Sequence, residues 1–276
     1  MRAAVVGHVE WVRFAAVERL PEQGEIVTAS ATWEEPAGGG AVAAGQLRNL
    51  AGEVDFFVAL GSDDLGRRTR DRLEQLGFRV HAATRDQPQR RAFTFVDAAG
   101  ERTITLLGEK LHPHGADPLP WDELAKIDAV YFTAGDADAL RAARRARVLV
   151  ATARELPTLR EAQVPLDGLV LSARDSAEAY EPGELNSSPG LIVTTQGRDG
   201  GTYVAGDRSG TYEAANMPGP VGDAYGAGDS FAAGLSFALA RGDETEQALA
   251  FAAKCGAAAM TGRGAYEGQL SLAEDR

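Results

Sequence analysis

Cysteine is almost missing from this chain: Cys255 is the only one among 276 residues. A single thiol forms no internal disulfide, so a cytoplasmic protein is expected. The run around it, Ala-Phe-Ala-Ala-Lys-Cys-Gly-Ala-Ala-Ala-Met, reads as a helix with a packed thiol rather than a nucleophile. Positive charge is also short, with 28 Lys and Arg against 40 Asp and Glu and a net charge of -12. A nucleic-acid partner would need a basic face, so none is expected. A small phosphate ligand remains open, because a local anion site works on an acidic protein. No apolar stretch approaches the length of a membrane helix, and Met1–Gly7 is too short in its apolar part for a signal peptide. His112-Pro-His114 has neither a cysteine nor a third histidine nearby, so no metal site is read there. There is no Gly-x-x-x-x-Gly-Lys-Ser/Thr loop and no protein-kinase motif set.

What is present is an ordinary globular composition, 44% hydrophobic and 25% charged. The length fits one α/β domain over 1–276 with a small appendage. Buried strands are predicted at Ala3–Val6 and Val54–Leu60, with a helix from about Ala41 to Leu50 between them. Asp63 and Asp64 read as capping and turn residues of a second helix, which runs to Leu76. From Asp128 onward strands and helices alternate, which argues a mainly parallel sheet covered on both faces. Outside it, Ile26–Trp33 reads as an exposed strand. Arg90–Val96 and Thr103–Leu107 flank Asp97-Ala-Ala-Gly100 as a hairpin. The small sheet expected from these spans about 24–34 and 90–108.

The stretch Asp223-Ala-Tyr-Gly226-Ala-Gly228-Asp229-Ser-Phe-Ala-Ala-Gly234 carries the chemistry. It reads as a loop turning into a buried helix. Gly226, Ala227 and Gly228 let backbone N–H groups approach a ligand, and a helix start attracts anions. Asp229 at that mouth could take a proton from a hydroxyl while the amides hold a phosphoryl group. The same residues also read as an N-capping aspartate after a glycine turn. Gly38-x-Gly40-x-x-Ala43 nominally matches a dinucleotide fingerprint, but Glu34-Glu35-Pro36-Ala37 before it is no buried strand. A dehydrogenase is therefore set aside.

Gly226-Ala-Gly228-Asp229, with Asp223 before it and a small-residue helix after it, resembles the C-terminal signature of the PfkB carbohydrate kinases, the ribokinase-like family. The resemblance spans nearly the whole chain. It implies a three-layer α/β/α fold with a mainly parallel sheet and a small β-sheet lid. It implies an ATP- and Mg²⁺-dependent transfer of a phosphoryl group to a sugar-like molecule. Asp229 matches the family's base, and Gly226, Ala227 and Gly228 its anion hole. Gly38, Gly39 and Gly40 match the glycines beside the sugar, where Asp223 and Arg91 are further candidates. Thr195, Gly197 and Gly200 match its phosphate turn, and Gly264 its adenine-pocket tail. The lid, with unpaired edges, implies a possible homodimer.

Three positions depart from the family pattern. Ala43 stands where an asparagine usually contacts the sugar. His8, Glu10 and Val12 stand where an aspartate usually does, with Glu10 a candidate replacement. Ser172-Ala-Arg-Asp175 stands for an Asn-x-x-Glu motif that holds Mg²⁺ through water, with Asp175 keeping a carboxylate. These departures argue against ribose or fructose itself as the acceptor. They leave a second reading, a ribokinase-like fold that binds ligand without turnover.

Overall fold

A computed structural model describes residues 1–272. The last four positions of the expected 1–276 unit lie outside the described residues. The chain runs β1 (Ala3–Val6), β2 (Glu10–Ala16), β3 (Ala31–Ala37), α1 (Gly39–Ala51), β4 (Val54–Gly61), α2 (Asp64–Gln75), β5 (Arg79–Arg85), β6 (Arg91–Val96) and β7 (Arg102–Leu107). It continues β8 (Ala129–Phe132), α3 (Ala137–Ala143), β9 (Val148–Thr152), α4 (Leu156–Ala162), β10 (Gly168–Ser172), β11 (Leu191–Thr195), β12 (Gly201–Ala205), β13 (Arg208–Tyr212), α5 (Ala227–Arg241) and α6 (Thr245–Ala259).

Nine strands form the main sheet in the order β13-β12-β11-β10-β9-β8-β1-β4-β5. From β5 to β11 all neighbours are parallel; β12 and β13 add an antiparallel edge. Such strands are buried on both faces, which is why they read as apolar runs. Ala3 and Val5 of β1 join one core with α1, α5 and α6; Ala4 and Val6 join the other with α3 and α4. β1 lies between β4 and β8, so the strand order reverses there. Ligands of open α/β sheets bind outside the carboxyl ends of the strands at such a reversal.

A second sheet, ordered β3-β2-β6-β7, forms the lid. Here the outcome departs from the expected strands. The exposed strand begins at Ala31 rather than Ile26, and Ile26 is 99% exposed. The reason is pairing: β3 runs antiparallel to β2 from Glu10↔Ala37 to Ala16↔Ala31, and beyond Ala16 its partner ends. Pro36 stays inside β3 because an edge strand tolerates a missing N–H. The unanticipated strand is β2. Its Trp11 and Ala15 are buried as well as Val12 and Phe14, so it lacks the alternation of a half-exposed strand. Asp63 caps α2 as expected, accepting from Gly66 N at 2.9 Å.

Helices α5 and α6 pack closely because Gly234 faces Cys255, which is buried. A methyl on Gly234 would lie 2.6 Å from the Cys255 sulfur. Gly234→Ala should therefore lower stability by about 1–3 kcal/mol despite alanine's better helix propensity. Adding Cys255→Ala should recover part of that loss. Urea denaturation of the single and double variants measures both; an unperturbed Gly234→Ala midpoint would contradict the tight approach.

Candidate active site

The site is built at the carboxyl ends of β1, β8 and β9 and at the start of α5. Gly226 is the N-cap of α5, left-handed at φ 76°, and no side chain caps the helix. The first intrahelical bond is Ser230 N to Gly226 O at 2.9 Å. The amides of Ala227, Gly228 and Asp229 therefore lack intrahelical acceptors. Gly228 has nothing that would meet a methyl within 4 Å, so the helix start opens onto free space. Gly226 must be glycine on two counts: its φ is positive, and a methyl there would come 2.6 Å from Val42.

Asp229 is not the cap. It lies in the first turn, with its carboxylate over the backbone of Gly39, where a methyl would come 2.7 Å from Oδ1. Burial pushes its carboxyl up to about 6, opposed by the charges of Arg154, Arg102 and Lys110. The neighbouring Gly38, at φ 90°, leaves room for the Glu10 carboxylate, which a methyl there would overlap. Glu10 is buried, with Oε1 3.1 Å from Arg90 Nη1 and 3.6 Å from His8 Nε2. Burial pushes it up to about 7; Arg90 and Lys110 pull down and Asp229 pushes further up. Gly40 lets the chain pass the backbone of His8. His8 itself is held by Thr133 Oγ1 at 3.2 Å, and burial keeps its pKa well below the usual histidine value. Gly38, Gly39, Gly40, Glu10 and Gly226–Asp229 thus come together as one cluster.

Other expected residues land elsewhere. Arg91 is on the wrong face of the lid: β6 alternates, with Arg91, Phe93 and Phe95 turned away from the buried Ala92, Thr94 and Val96. The arginine that reaches the cluster is Arg90, one residue earlier, beside Glu10. Asp223 is buried, accepting from Tyr225 N and Gly264 N, each at 2.6 Å. Both its oxygens hold backbone, so it braces the loop instead of meeting a substrate. Gly264 is buried between Asp223 and the β3 residues Trp33 and Glu35, so it belongs to the frame. Thr195 donates its hydroxyl to Leu171 O at 3.1 Å, and the Gly197–Gly200 turn closes through Gln196 N to Gly200 O at 2.8 Å. This turn sits at the end of β11, farther along the same sheet edge. Asp175 caps the short helix Ser176–Glu178 and pairs with Arg154.

Glu178 is a buried carboxylate beside these residues that sequence reasoning did not single out. It lies 2.7 Å from Arg154 Nε, and burial raises its pKa with Asp175 and Asp229 adding to the rise. Asp175-Ser-Ala-Glu178 has the i, i+3 spacing of the carboxylate motif; starting that motif at Asp175 rather than Ser172 finds it.

The sequence matches the pfkB family carbohydrate kinase model over residues 2–145 and 134–271. It is 27% identical over 274 residues to the ATP-dependent ribose-1-phosphate kinase of Halopiger xanaduensis, covering 93% of this chain and 91% of that protein. The fold is shared with ribokinase of Thermotoga maritima at a TM-score of 0.76 and 19% identity, covering 98% of this chain and 96% of that one. Ribokinase of Cryptococcus neoformans in complex with ADP aligns at a TM-score of 0.74 and 21% identity, covering 98% and 97%. With its family match and its ribokinase-like sheet and lid, this chain belongs to the pfkB family of carbohydrate kinases, enzymes that move the γ-phosphoryl group of ATP to a hydroxyl of a sugar or sugar-like molecule.

Proposed function

We propose that Asp229 is the general base of this transfer and that the amides of Ala227, Gly228 and Asp229 hold the phosphoryl group in flight. One observation carries this: a carboxylate pushed up to about 6 stands beside open helix-start amides. The acceptor's hydroxyl gives its proton to Asp229. Its oxygen bonds to the γ-phosphorus as the bond to the β-phosphate oxygen breaks, and ADP leaves with that electron pair. Positioning and charge stabilisation supply most of such catalysis. Gly38–Gly40 bring backbone to the acceptor, and Glu10 and neutral His8 offer hydrogen-bond partners for its hydroxyls. The lid excludes water and so limits futile hydrolysis.

The residues present fit a magnesium ion. Among the described residues no group of three or more ligands forms a cage. Mg²⁺ on a nucleotide needs only one or two carboxylates, with phosphates and waters completing it. Glu178 and Asp175 would hold it, and its charge would neutralise the phosphates. Thr195, Gly197 and Gly200 would lie along the nucleotide.

The acceptor we infer is a phosphorylated sugar, the class named for the Halopiger xanaduensis relative. In a chain of net charge -12, the positive charges felt at Glu10 are those of Arg90 and Lys110. Lys110 is steadied by Glu155 at 2.5 Å. Basic side chains at that end of the cleft would attract a phosphate carried by the acceptor. We also assign the enzyme to the cytoplasm, where ATP is available. No helix of the described residues is long and apolar enough to cross a membrane. A second copy is proposed to cover the lid edge, where β7 exposes Ile104, Leu106 and Leu107.

Four outcomes test these readings. Asp229→Asn should retain ATP binding and lose about 10²–10⁴-fold in kcat. In the parent enzyme kcat/KM should fall below about pH 6, because the protonated carboxyl accepts nothing; Glu10→Gln should keep that limb. An unchanged rate in Asp229→Asn removes it as the base. Across ribose, ribose 1-phosphate, fructose and fructose 1-phosphate, the phosphorylated sugars should lead in kcat/KM, and Lys110→Ala should narrow the gap. Equal use of the free sugars rules the phosphate out. Sedimentation should give a dimer mass that Leu106→Lys converts to a monomer.

A further inference from the structure

The lid edge carries an arginine that no other group among the described residues holds. Arg102 is exposed at the start of β7, and its side chain makes no hydrogen bond or ion pair among the described residues. Most arginines near the site are engaged: Arg90 by Glu10, Arg154 by Asp175 and Glu178. An arginine at a strand edge is ordinarily just a solvated charge. Register and docking argue otherwise here.

In the β6–β7 pair Arg102 stands opposite Val96. Directly opposed residues share a face of the sheet. Val96 is buried in the cluster that joins the lid to Tyr225 and Val42, so Arg102 is on the face turned toward the site. The turn before it is fixed. Asp97 Oδ1 accepts from Ala99 N at 2.9 Å and Glu101 N at 3.0 Å, and Gly100 is left-handed at φ 78°. Gly100 O then accepts from Ala224 N at 2.9 Å, and a methyl on Gly100 would meet Val221 at 2.7 Å. Ala224 is three residues before Ala227, the first open amide. The turn is thus bolted to the loop that carries the anion hole, and Arg102 starts two residues from the bolt.

We propose that Arg102 is a catalytic residue, its guanidinium contacting the oxygens of the phosphoryl group as it passes from ATP to the acceptor. The proposal rests on the phosphotransferase reading of Asp229. Burial raises both Asp229 and Asp223, and the charge of Arg102 reaches each and lowers it. A planar fork of donors suits phosphoryl oxygens, and lysine does not replace it. The negative charge developing on three oxygens would meet amides from α5 on one side and a lid cation on the other. The step itself is unchanged: Asp229 takes the proton, the new oxygen–phosphorus bond forms, and ADP departs. Arg102 gains or loses no proton.

Arg102→Ala removes no side-chain hydrogen bond among the described residues, so its thermal unfolding should match the parent. Its kcat should fall by about 10²–10³-fold, the usual worth of one such donor. KM for ATP and for the acceptor should stay within about threefold. Added guanidinium ion should restore part of the rate, and Arg102→Lys should not. A second measurement needs no turnover: calorimetry of ADP with aluminium fluoride, which mimics the phosphoryl in flight, against ADP alone. Arg102→Ala should weaken the fluoride complex at least tenfold and leave ADP unchanged. An unchanged kcat, or a loss confined to the acceptor's KM, overturns the assignment; the latter would move Arg102 to the acceptor's own phosphate. Should the parent turn over no acceptor, Arg102-dependent fluoride binding would still support the contact while the kinase reading failed, and fluoride binding indifferent to Arg102 would end it.

Discussion

A buried carboxylate and a half-buried one share one short piece of backbone, and the site depends on that approach. Glu10 comes from the lid and Asp229 from α5, yet both rest on Gly38 and Gly39 at the start of α1. At Gly38 the positive φ and the Glu10 carboxylate both disfavour a side chain, and at Gly39 a Cβ would press on Asp229 Oδ1 at 2.7 Å. The glycines therefore do more than loosen a turn. They set how far the lid stands from the helix whose amides point at a ligand. The lid's other attachments maintain the same spacing. Gly38 N donates to Tyr225 Oη at 3.0 Å, Ala265 N to Glu35 Oε1 at 2.8 Å, and Tyr266 Oη to Pro36 O at 2.6 Å.

Desolvating two acids so close is costly, and both carboxyls are pushed up toward neutrality as a result. Cations around them reduce that cost without neutralising either fully. Arg90 pairs with Glu10 directly, while Arg154, Arg102 and Lys110 act on Asp229 through space. An acid tuned in this way accepts a proton readily at working pH, which a free aspartate would hold poorly. The proposed base is thus marked both by its place and by its raised pKa.

Much of this was legible in the residues. The apolar runs of β1 and β4 and the rhythm after Asp128 indicated the parallel sheet, because strands buried on both faces leave a plain signature. The glycine turn before α5 was equally readable, since positive φ and close approach permit few substitutes. The lid was less so. Ile26 and Val27 look like strand residues and pair with nothing, while β2 hides its pattern by burying both faces. Arg90 and Arg91 cannot be told apart by chemistry; only register decides which one faces Glu10. Asp223 and Gly264 carried a functional look for a structural reason, their mutual bond across 41 positions. Glu178 was within reach of spacing alone, had the motif been allowed to slide by three.

The lid is stitched from two distant insertions, one following β1 and the other following β5. Its central pairing, β2 beside β6, is parallel and joins segments separated by about 80 positions, as Glu10 and Arg90 are. Such non-local pairing incurs its loop-closure entropy before any contact offsets it. The strands β1, β4 and β5 must therefore be in place to hold both insertions side by side. During synthesis the cover over the cleft can form only after the hairpin through Leu107 has emerged. The cleft also needs α5, whose residues Ala227–Arg241 are made later still, so a half-made chain carries only part of it.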